Sequence, residues 1–224
     1  MTARSRSPDR IRVRRSPKKG HYEREKIDSI LDRSLVGHVA FVDRDEPVCI
    51  PMLVARVDGS IYVHGSRASR AMRVLARREP ACVTVTLLHG LVLARSVFEH
   101  SANYESVVAF GRFRAITGDD ERLAALAAFT NKLLPGRWSE VRGPNEKELK
   151  GTMILALEIE DAAAKIRSGP PDDDDSEDAA LDVWVGELPI VHSFGAPVAS
   201  PGLREGIPLS DSVAGVLSRT TPPG

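Results

Sequence analysis

The amino-acid sequence predicts a mainly β (α+β) fold, an antiparallel barrel of about six or seven strands with a few peripheral helices. Short runs of β-branched and apolar residues follow one another closely, and turn residues such as Asp58-Gly59 separate them. Helical patterns are few and do not alternate with the strands, which disfavours a doubly wound parallel sheet.

The predicted strands differ in the position that they should take in the sheet. Pro51 lies inside the second strand, and proline favours an edge or a bulge because it has no N–H to donate. His89-Gly90 is predicted to turn the chain between the fourth and fifth strands. The predicted strands cover residues 36–42, 48–57, 60–64, 81–88, 91–98, 106–117 and 152–159.

Three helices accompany these strands. Residues 22–35 carry apolar side chains at helical spacing, and residues 69–78 form a short helix that Pro80 ends. A third helix over about 120–134 is predicted to start at a Thr117 or Asp119 cap. Its inward-facing residues are predicted to be Leu123, Leu126, Ala127 and Leu133.

The chain divides into three parts by composition. Residues 1–20 carry eight basic residues and one acid, which predicts a disordered basic tail. Residues 21–165 form the barrel domain. Residues 166–224 are a Pro/Gly/Asp-rich extension, with an acidic run at 172–178 and an apolar island at 183–191, and we expect this extension to wrap the barrel.

Overall charge and cysteine usage narrow the class of protein. The chain has 31 basic and 31 acidic residues, so its net charge does not favour a nucleic-acid or membrane partner. No apolar run is long enough for a membrane helix, and the N-terminus has no hydrophobic segment. Cys49 and Cys82 lie in apolar strands without a CxxC neighbour, which predicts buried free thiols. We therefore expect a cytoplasmic protein.

The segment that joins the third strand to the second helix combines residues suited to an anion. Ser66, Arg67, Ser69 and Arg70 surround the predicted start of the helix. Backbone N–H groups and hydroxyls donate hydrogen bonds there, and guanidinium groups bind two phosphate oxygens at once. Ser69 is equally placed to cap the helix, which would be a purely structural role. GxGxxG and GxxxxGK[ST] motifs are missing, so the predicted phosphate site is neither a Rossmann turn nor a P-loop.

Six segments, taken in order, resemble a known family. They are HVAFV, IPMLVAR, IYVHGS, ACVTVTLLHGLVLARS, HSANYESVVAFGR and LLPGRW. Together they resemble the pyridoxamine 5′-phosphate oxidase family, and within it the branch of flavin-nucleotide-binding proteins similar to nitroimidazole-reductase-type proteins. The resemblance covers most of residues 17–210. It implies a split β-barrel, a homodimer, and FMN bound in the groove between the two chains.

The resemblance also implies roles for single residues. Ser69 and Arg70 would hold the FMN phosphate, with help from Ser66 and Arg67. His64 would lie near the ribityl chain or the flavin ring, although a strand-end histidine that bonds a loop carbonyl is an equal alternative. The arginine-and-histidine site for pyridoxal phosphate near the C-terminus is missing, which argues against pyridoxine phosphate as the substrate.

Two further groups of residues would contact the flavin. Pro51, Met52 and Leu53 would run beside the isoalloxazine and offer backbone groups to its polar edge. A second group would form a loop that can reach the cofactor from the partner chain. Its members are Ser101, Asn103 and Tyr104.

Because a bound flavin supplies the redox chemistry, a catalytic triad is not needed. We therefore predict an FMN-dependent oxidoreductase that acts on a small organic molecule at the dimer groove. The alternative is a non-catalytic module that holds flavin or haem, and haem would need His64 or His100 as its axial ligand. A third hypothesis, a nucleic-acid-associated protein, depends on the basic tail.

Overall fold

Nine strands form one antiparallel sheet in the computed structural model, which describes residues 8–172 and 177–220. Seven of the strands pair in the order β3-β2-β6-β7-β8-β5-β4, while β1 adds to β8 and β9 adds to β6. The strands are β1 (Gly20–His21), β2 (Val36–Asp43), β3 (Glu46–Leu53), β4 (Ala55–Val57), β5 (Ser60–Ser66), β6 (Pro80–Leu93), β7 (Ser101–Ala115), β8 (Thr152–Arg167) and β9 (Gly186–Pro189).

The two edge strands of the sheet, β3 and β4, follow each other directly in the chain. Edge strand β3 ends at Leu53, edge strand β4 begins at Ala55, and only the buried Val54 separates them. The sheet therefore curls until its two edges meet at Val54, and it opens where β3 diverges from β5. We call this opening the split. The predicted split barrel is confirmed, and Pro51 lies on an edge strand as its missing N–H predicts.

Six helices lie around the described part of the sheet. They are α1 (Arg24–Arg33), α2 (Arg70–Leu75), α3 (Asp119–Leu133), α4 (Arg137–Glu140), α5 (Glu146–Gly151) and α6 (Asp211–Thr220). None of the helices in the described residues is both long and apolar enough to cross a membrane.

Two hydrophobic clusters hold the fold together. The larger one fills the barrel with side chains from α1, α2 and the strands, including the fully buried Phe113 and Met72. The smaller one packs α3 against β4, β5 and β8 through Tyr62, Ala125 and Phe129. The outer face of β5 is therefore covered by α3, and this contact positions the side chains described below.

Three predictions about regular elements were wrong. Residues 81–98 contain one strand, β6, which continues past His89-Gly90 with a bulge between Leu88 and Gly90. Helix α3 buries Arg122, Ala125 and Phe129, while the predicted inward residues Leu123 and Leu133 are exposed. The N-cap of α3 is Gly118, so neither predicted capping side chain is used.

A disordered basic tail was predicted for residues 1–20, and the part of it that the structure describes, from residue 8 onward, contacts the barrel. Arg10 forms ion pairs with Glu160 and Asp161, and its guanidinium lies 4.9 Å from the centre of the Phe110 ring. Gly20 and His21 pair with β8 as strand β1. The barrel therefore holds this segment by charge and by a strand ladder. Residues 1–7 of the predicted tail lie outside the described residues.

The extension after β8 contacts the barrel at separate points. Strand β9 lies inside the predicted apolar island and pairs with the end of β6, and α6 contacts α4 through Glu140 and Ser212. The acidic run falls partly outside the described residues. Cys49 and Cys82 are free as predicted, but Cys49 is exposed and Cys82 is half-buried because both lie on the outer face of the sheet.

Candidate cofactor-binding site

The predicted phosphate loop joins β5 to α2 at one end of the barrel. The Ser69 side chain caps α2 by accepting a hydrogen bond from the Met72 N–H at 3.5 Å, and Ser66 Oγ accepts one from the Ala68 N–H at 3.2 Å. The structural role considered for Ser69 is therefore present. Arg67 is exposed, and its backbone N–H donates to the Gly151 carbonyl at 3.1 Å.

Arg70 is held in place by a carboxylate. Its Nε donates a 2.5 Å hydrogen bond to Oδ2 of Asp43, which is 4% exposed, whereas the Arg70 side chain is 63% exposed. A guanidinium fixed through Nε keeps its two terminal nitrogens available for a second acceptor. The contact therefore orients Arg70 beside Ser69, where a phosphate group could use it.

The split presents unpaired backbone on both sides. Strand β3 pairs only with β2 among the described strands, and β5 pairs with β4 only as far as Tyr62. The N–H and C=O groups on the open side of β3, and on the β4 side of residues 63–66, are therefore free for a polar ligand. Pro51, Met52 and Leu53 lie in this part of β3. The structure thus brings the predicted β3 residues and the Ser66–Arg70 loop to the two banks of one opening.

His64 lies in β5 on the bank that carries the loop. Its ring packs edge-on against Phe129 with 4.5 Å between the ring centres. Burial lowers the pKa of His64, and the buried Nδ1 has no hydrogen-bond partner among the described residues. The alternative in which His64 bonds a loop carbonyl through Nδ1 is therefore not observed. A neutral imidazole with an unpartnered nitrogen is suited to bind a ligand or a metal.

Phe129 and Lys132 reach this opening from α3, and sequence reasoning missed both. Together with Leu53 and Val54 they line a cavity of about 10 Å³, far below the size of a ligand pocket. Lys132 Nζ donates to the Leu31 carbonyl at 2.8 Å, and burial lowers the pKa of this lysine to about 8. The helical spacing of Ala125 and Phe129 could have indicated the buried face of α3, but the leucines of this helix favoured a different face.

The second predicted group, which consists of Ser101, Asn103 and Tyr104, lies at the opposite end of the barrel. Ser66 pairs with Thr152 and Tyr104 pairs with Arg167, at the two ends of β8. An extended strand of this length covers on the order of 50 Å. Ser101, Asn103 and Tyr104 therefore do not join the loop within one chain, and a contact with the same flavin would have to come from a partner chain. That contact stays a prediction.

Ser101 and Tyr104 line a polar cleft with a volume of about 370 Å³. Its basic side chains are Arg15, Lys19, Lys165 and Arg167. His100 faces the same cleft, and its Nδ1 is within 2.8 Å of the Ser96 carbonyl. Asn103 is buried and bonded by Arg167 and Glu187, so it ties β7 to β8 and β9 and has little freedom to contact a ligand.

An antiparallel split barrel that carries a serine-and-arginine loop at the end of one bank defines the class of this protein. A family model described as pyridoxamine 5′-phosphate oxidase matches residues 23–166. The match covers more than half of the chain, and the chain therefore belongs to the pyridoxamine 5′-phosphate oxidase family.

Two solved structures are similar to nearly the whole chain. The FAD and heme binding protein from Mycobacterium smegmatis is 40% identical, with a TM-score of 0.84, over 88% of this chain and 97% of that one. The flavocytochrome Anf3 from Azotobacter vinelandii is 33% identical, with a TM-score of 0.86, over 93% of this chain and 96% of that one.

A more distant structure supports the fold alone. This protein from Bacteroides thetaiotaomicron is described, provisionally, as a 5-nitroimidazole antibiotic resistance protein. It is 18% identical, with a TM-score of 0.55, over 66% of this chain and 87% of that one. The search of curated proteins gave no significant match.

Proposed function

We propose that this protein binds a flavin and a haem at the split and works as an oxidoreductase. The observation that carries the proposal is His64, a neutral histidine with an unpartnered ring nitrogen on the bank that leads into the Ser66–Arg70 loop. It lies in a chain 40% identical to a protein from M. smegmatis that binds FAD and heme. The flavocytochrome from A. vinelandii supports the same pairing of cofactors.

The residues present fit a flavin. Free backbone groups of β3 and β5 suit the polar edge of an isoalloxazine, and Arg70 with Ser69 suits a phosphate group. The sequence analysis predicted that the flavin is FMN, and this prediction is untested. We propose FAD as the flavin because the relative from M. smegmatis is described with FAD.

His64 also offers a donor that suits a haem iron, and the cavity of about 10 Å³ beside Phe129 would have to widen to admit the group. A histidine that holds a haem iron must offer a neutral imidazole, and burial of His64 against Phe129 favours that form. We propose that His64 would hold the haem iron. His100 is the alternative, and the bond of its Nδ1 to the Ser96 carbonyl would orient the other ring nitrogen towards a metal.

When bound, a flavin accepts hydride or single electrons and a haem exchanges single electrons, so the protein itself needs to bind, orient and shield. Asp43 would orient Arg70 at the phosphate. Phe129 would shield one side of His64 from water. Lys132 would add a proton-exchanging group next to the split, since its pKa of about 8 lies near neutral pH.

The test is spectroscopic. Purified protein should show flavin absorption and a Soret band, and chromatography of the released flavin should identify FAD. His64→Ala should lose the Soret band and keep the flavin, while His100→Ala should keep both. A Soret band that survives in His64→Ala and disappears in His100→Ala would move the haem to the basic cleft. A chain that never binds flavin would contradict the proposal as a whole.

The other parts of the proposal concern partners and turnover. We propose a homodimer, a small-molecule substrate and a cytoplasmic location, which the free Cys49 and Cys82 support. We propose no membrane partner and no nucleic-acid partner, since the chain carries 31 basic and 31 acidic residues and its net charge favours neither. A non-catalytic flavin or haem module is the second candidate. Rapid oxidation of the reduced flavin by an added acceptor would favour the enzyme.

A further inference from the structure

The segment between β9 and α6 is irregular and exposed along nearly its whole length. Residues 191–209, which we call the strap, have no helix or strand, and every one of them is exposed. The exposed side chains include Val191 (82%), Phe194 (56%) and Val198 (94%). An apolar segment that leaves this much surface in water is unfavourable in a single chain.

The strap combines proline and glycine with large apolar side chains and few charges. Only Arg204 and Glu205 are charged in this stretch, whereas mobile segments are rich in charge and poor in large apolar residues. Pro197, Pro201 and Pro208 favour an extended backbone that needs no partner strand of its own. The strap is therefore preformed to lie along a surface.

Both ends of the strap are fixed to the barrel of the same chain. Before it, the Ile190 N–H donates to the His89 carbonyl at 2.9 Å, next to the pairing of β9 with β6. After it, Glu140 accepts hydrogen bonds from the N–H (2.8 Å) and hydroxyl (2.5 Å) of Ser212 in α6. Because both ends are fixed to the barrel, the exposure of the strap does not result from a loose chain end.

A second apolar surface is also uncovered. The outer face of β2, β3, β6 and β7 forms an open groove of about 370 Å³ with mostly apolar walls. Val42 (56% exposed) and the exposed Pro47 and Cys49 form one wall, while Cys82 and Phe110 form the other. None of the residues that line this groove belongs to the strap, so the strap does not cover the groove in its own chain.

We propose that the strap of each chain seats in the outer groove of a second copy of the same chain. The strap and the groove are both apolar, and neither covers the other within one chain. In a dimer with a two-fold axis, the strap of each copy can bury the groove of the other. The strap offers nineteen exposed residues, close to the roughly 20–30 residues per side of a stable interface. The inference rests on the homodimer of the proposed function and adds the element that holds it together.

A second copy fits better than a different protein. Only Arg10 adds a charged side chain to the groove, and its charge is already met by Asp161, so a charged partner segment would lose its hydration without gaining a free counter-charge. The strap brings apolar side chains and just one pair of opposite charges. The groove borders β3, which is also one bank of the split, so the strap of the partner would lie close to the cofactor site.

Disulfide trapping in the full-length chain tests the exchange. The variants Phe194→Cys, Val198→Cys and Leu203→Cys each place one thiol in the strap, and the native Cys49 and Cys82 lie in the groove. Mild oxidation should give a covalent dimer for at least one variant, with the new thiol bonded to Cys49 or Cys82 of the other copy by mass spectrometry. Val97→Cys, 92% exposed but outside the strap, should give no such bond.

Light scattering separates the strap from the dimer. The unmodified chain should have the mass of two copies, and Phe194→Asp with Val198→Asp should shift it towards one copy, with the melting of the barrel core retained. A dimer in which no strap thiol reaches the groove would overturn the exchange while the dimer stands. A disulfide within one chain would also overturn it, and a monomeric unmodified chain would overturn both.

Discussion

Arg70 Nε donates a 2.5 Å hydrogen bond to Oδ2 of Asp43, and this contact joins the tip of the β2–β3 hairpin to the start of α2. Asp43 is buried, so its charge needs a partner, and Arg70 supplies one while its outer nitrogens stay in solvent. The same arginine can therefore serve the fold and a phosphate group.

Arg70→Ala should weaken flavin binding by about 1.5–3 kcal/mol, or roughly 10- to 150-fold, the range for a hydrogen bond to a charged group. Quenching of flavin fluorescence on titration measures the dissociation constant. Arg73→Ala removes the same charge from an exposed position in α2 and is the matched control. Equal affinities of both variants would rule out Arg70 as the phosphate ligand, and the melting temperature reports separately on the loss of the Asp43 contact.

Lys132 predicts a pH dependence of stability. Its native pKa of about 8 lies below that of a lysine in the unfolded chain, about 10.4, because the folded protein buries it. The unfolded chain binds more protons between these values, so the free energy of unfolding should rise with pH across this window.

Lys132→Met should remove that rise and should stabilise the protein near pH 7 by about 1–2 kcal/mol, after allowance for the screening of a half-buried group. Urea unfolding at several pH values from 7 to 10.5 measures the difference. Lys150→Met, at an exposed site, is the control. A difference between Lys132→Met and the unmodified chain that does not change with pH would show that Lys132 is hydrated in the fold.

Gly111 is needed by the bulge where β7 meets β8. A Cβ at this position would lie 2.1 Å from the Glu158 carbonyl oxygen, a backbone atom that cannot move aside. Gly111→Ala should therefore destabilise the protein by about 3 kcal/mol or more. Gly118→Ala, where nothing lies within 4 Å, should change stability by less than about 1 kcal/mol. Similar melting temperatures for the two variants would mean that the bulge rearranges.

Glu140 should control the attachment of α6. Hydrogen bonds from the hydroxyl and N–H of Ser212, and from Arg137, lower the pKa of this exposed carboxylate to about 2. Glu140→Ala should speed hydrogen exchange of the α6 amides, with Glu146→Ala as the exposed control. In the unmodified chain the protection should be complete above the ordinary glutamate pKa and should fall as the pH drops towards 2. Unchanged exchange in Glu140→Ala would assign the attachment to the apolar contacts of α6.

The sequence was sufficient for the barrel because alternation and turn residues are local signals. It failed at Gly90, where glycine usually marks a turn. In the structure this glycine lies inside β6, where β9 approaches closely. A Cβ at this position would lie 2.9 Å from the Leu188 carbonyl of β9, so the position needs a glycine. That close approach depends on a strand about a hundred residues later in the chain, and no local pattern encodes it.

The candidate site was predictable only in part, for a similar reason. The loop of Ser66 and Arg70 is contiguous in sequence, so its composition was visible. Asp43 reaches the site from β2, Phe129 and Lys132 reach it from α3, and the roles of all three depend on packing. Ser101 and Tyr104 were placed by resemblance with the loop residues, yet β8 separates the two groups by its full length.

The prolines of β3 bear on how the protein avoids aggregation. An exposed edge strand can recruit further chains into a growing sheet. Pro47 and Pro51 remove two N–H donors from the eight residues of β3, so a continuous ladder cannot extend from this edge. The opening can therefore stay accessible to a small ligand during synthesis and refolding, before any cofactor is present, without seeding fibrils.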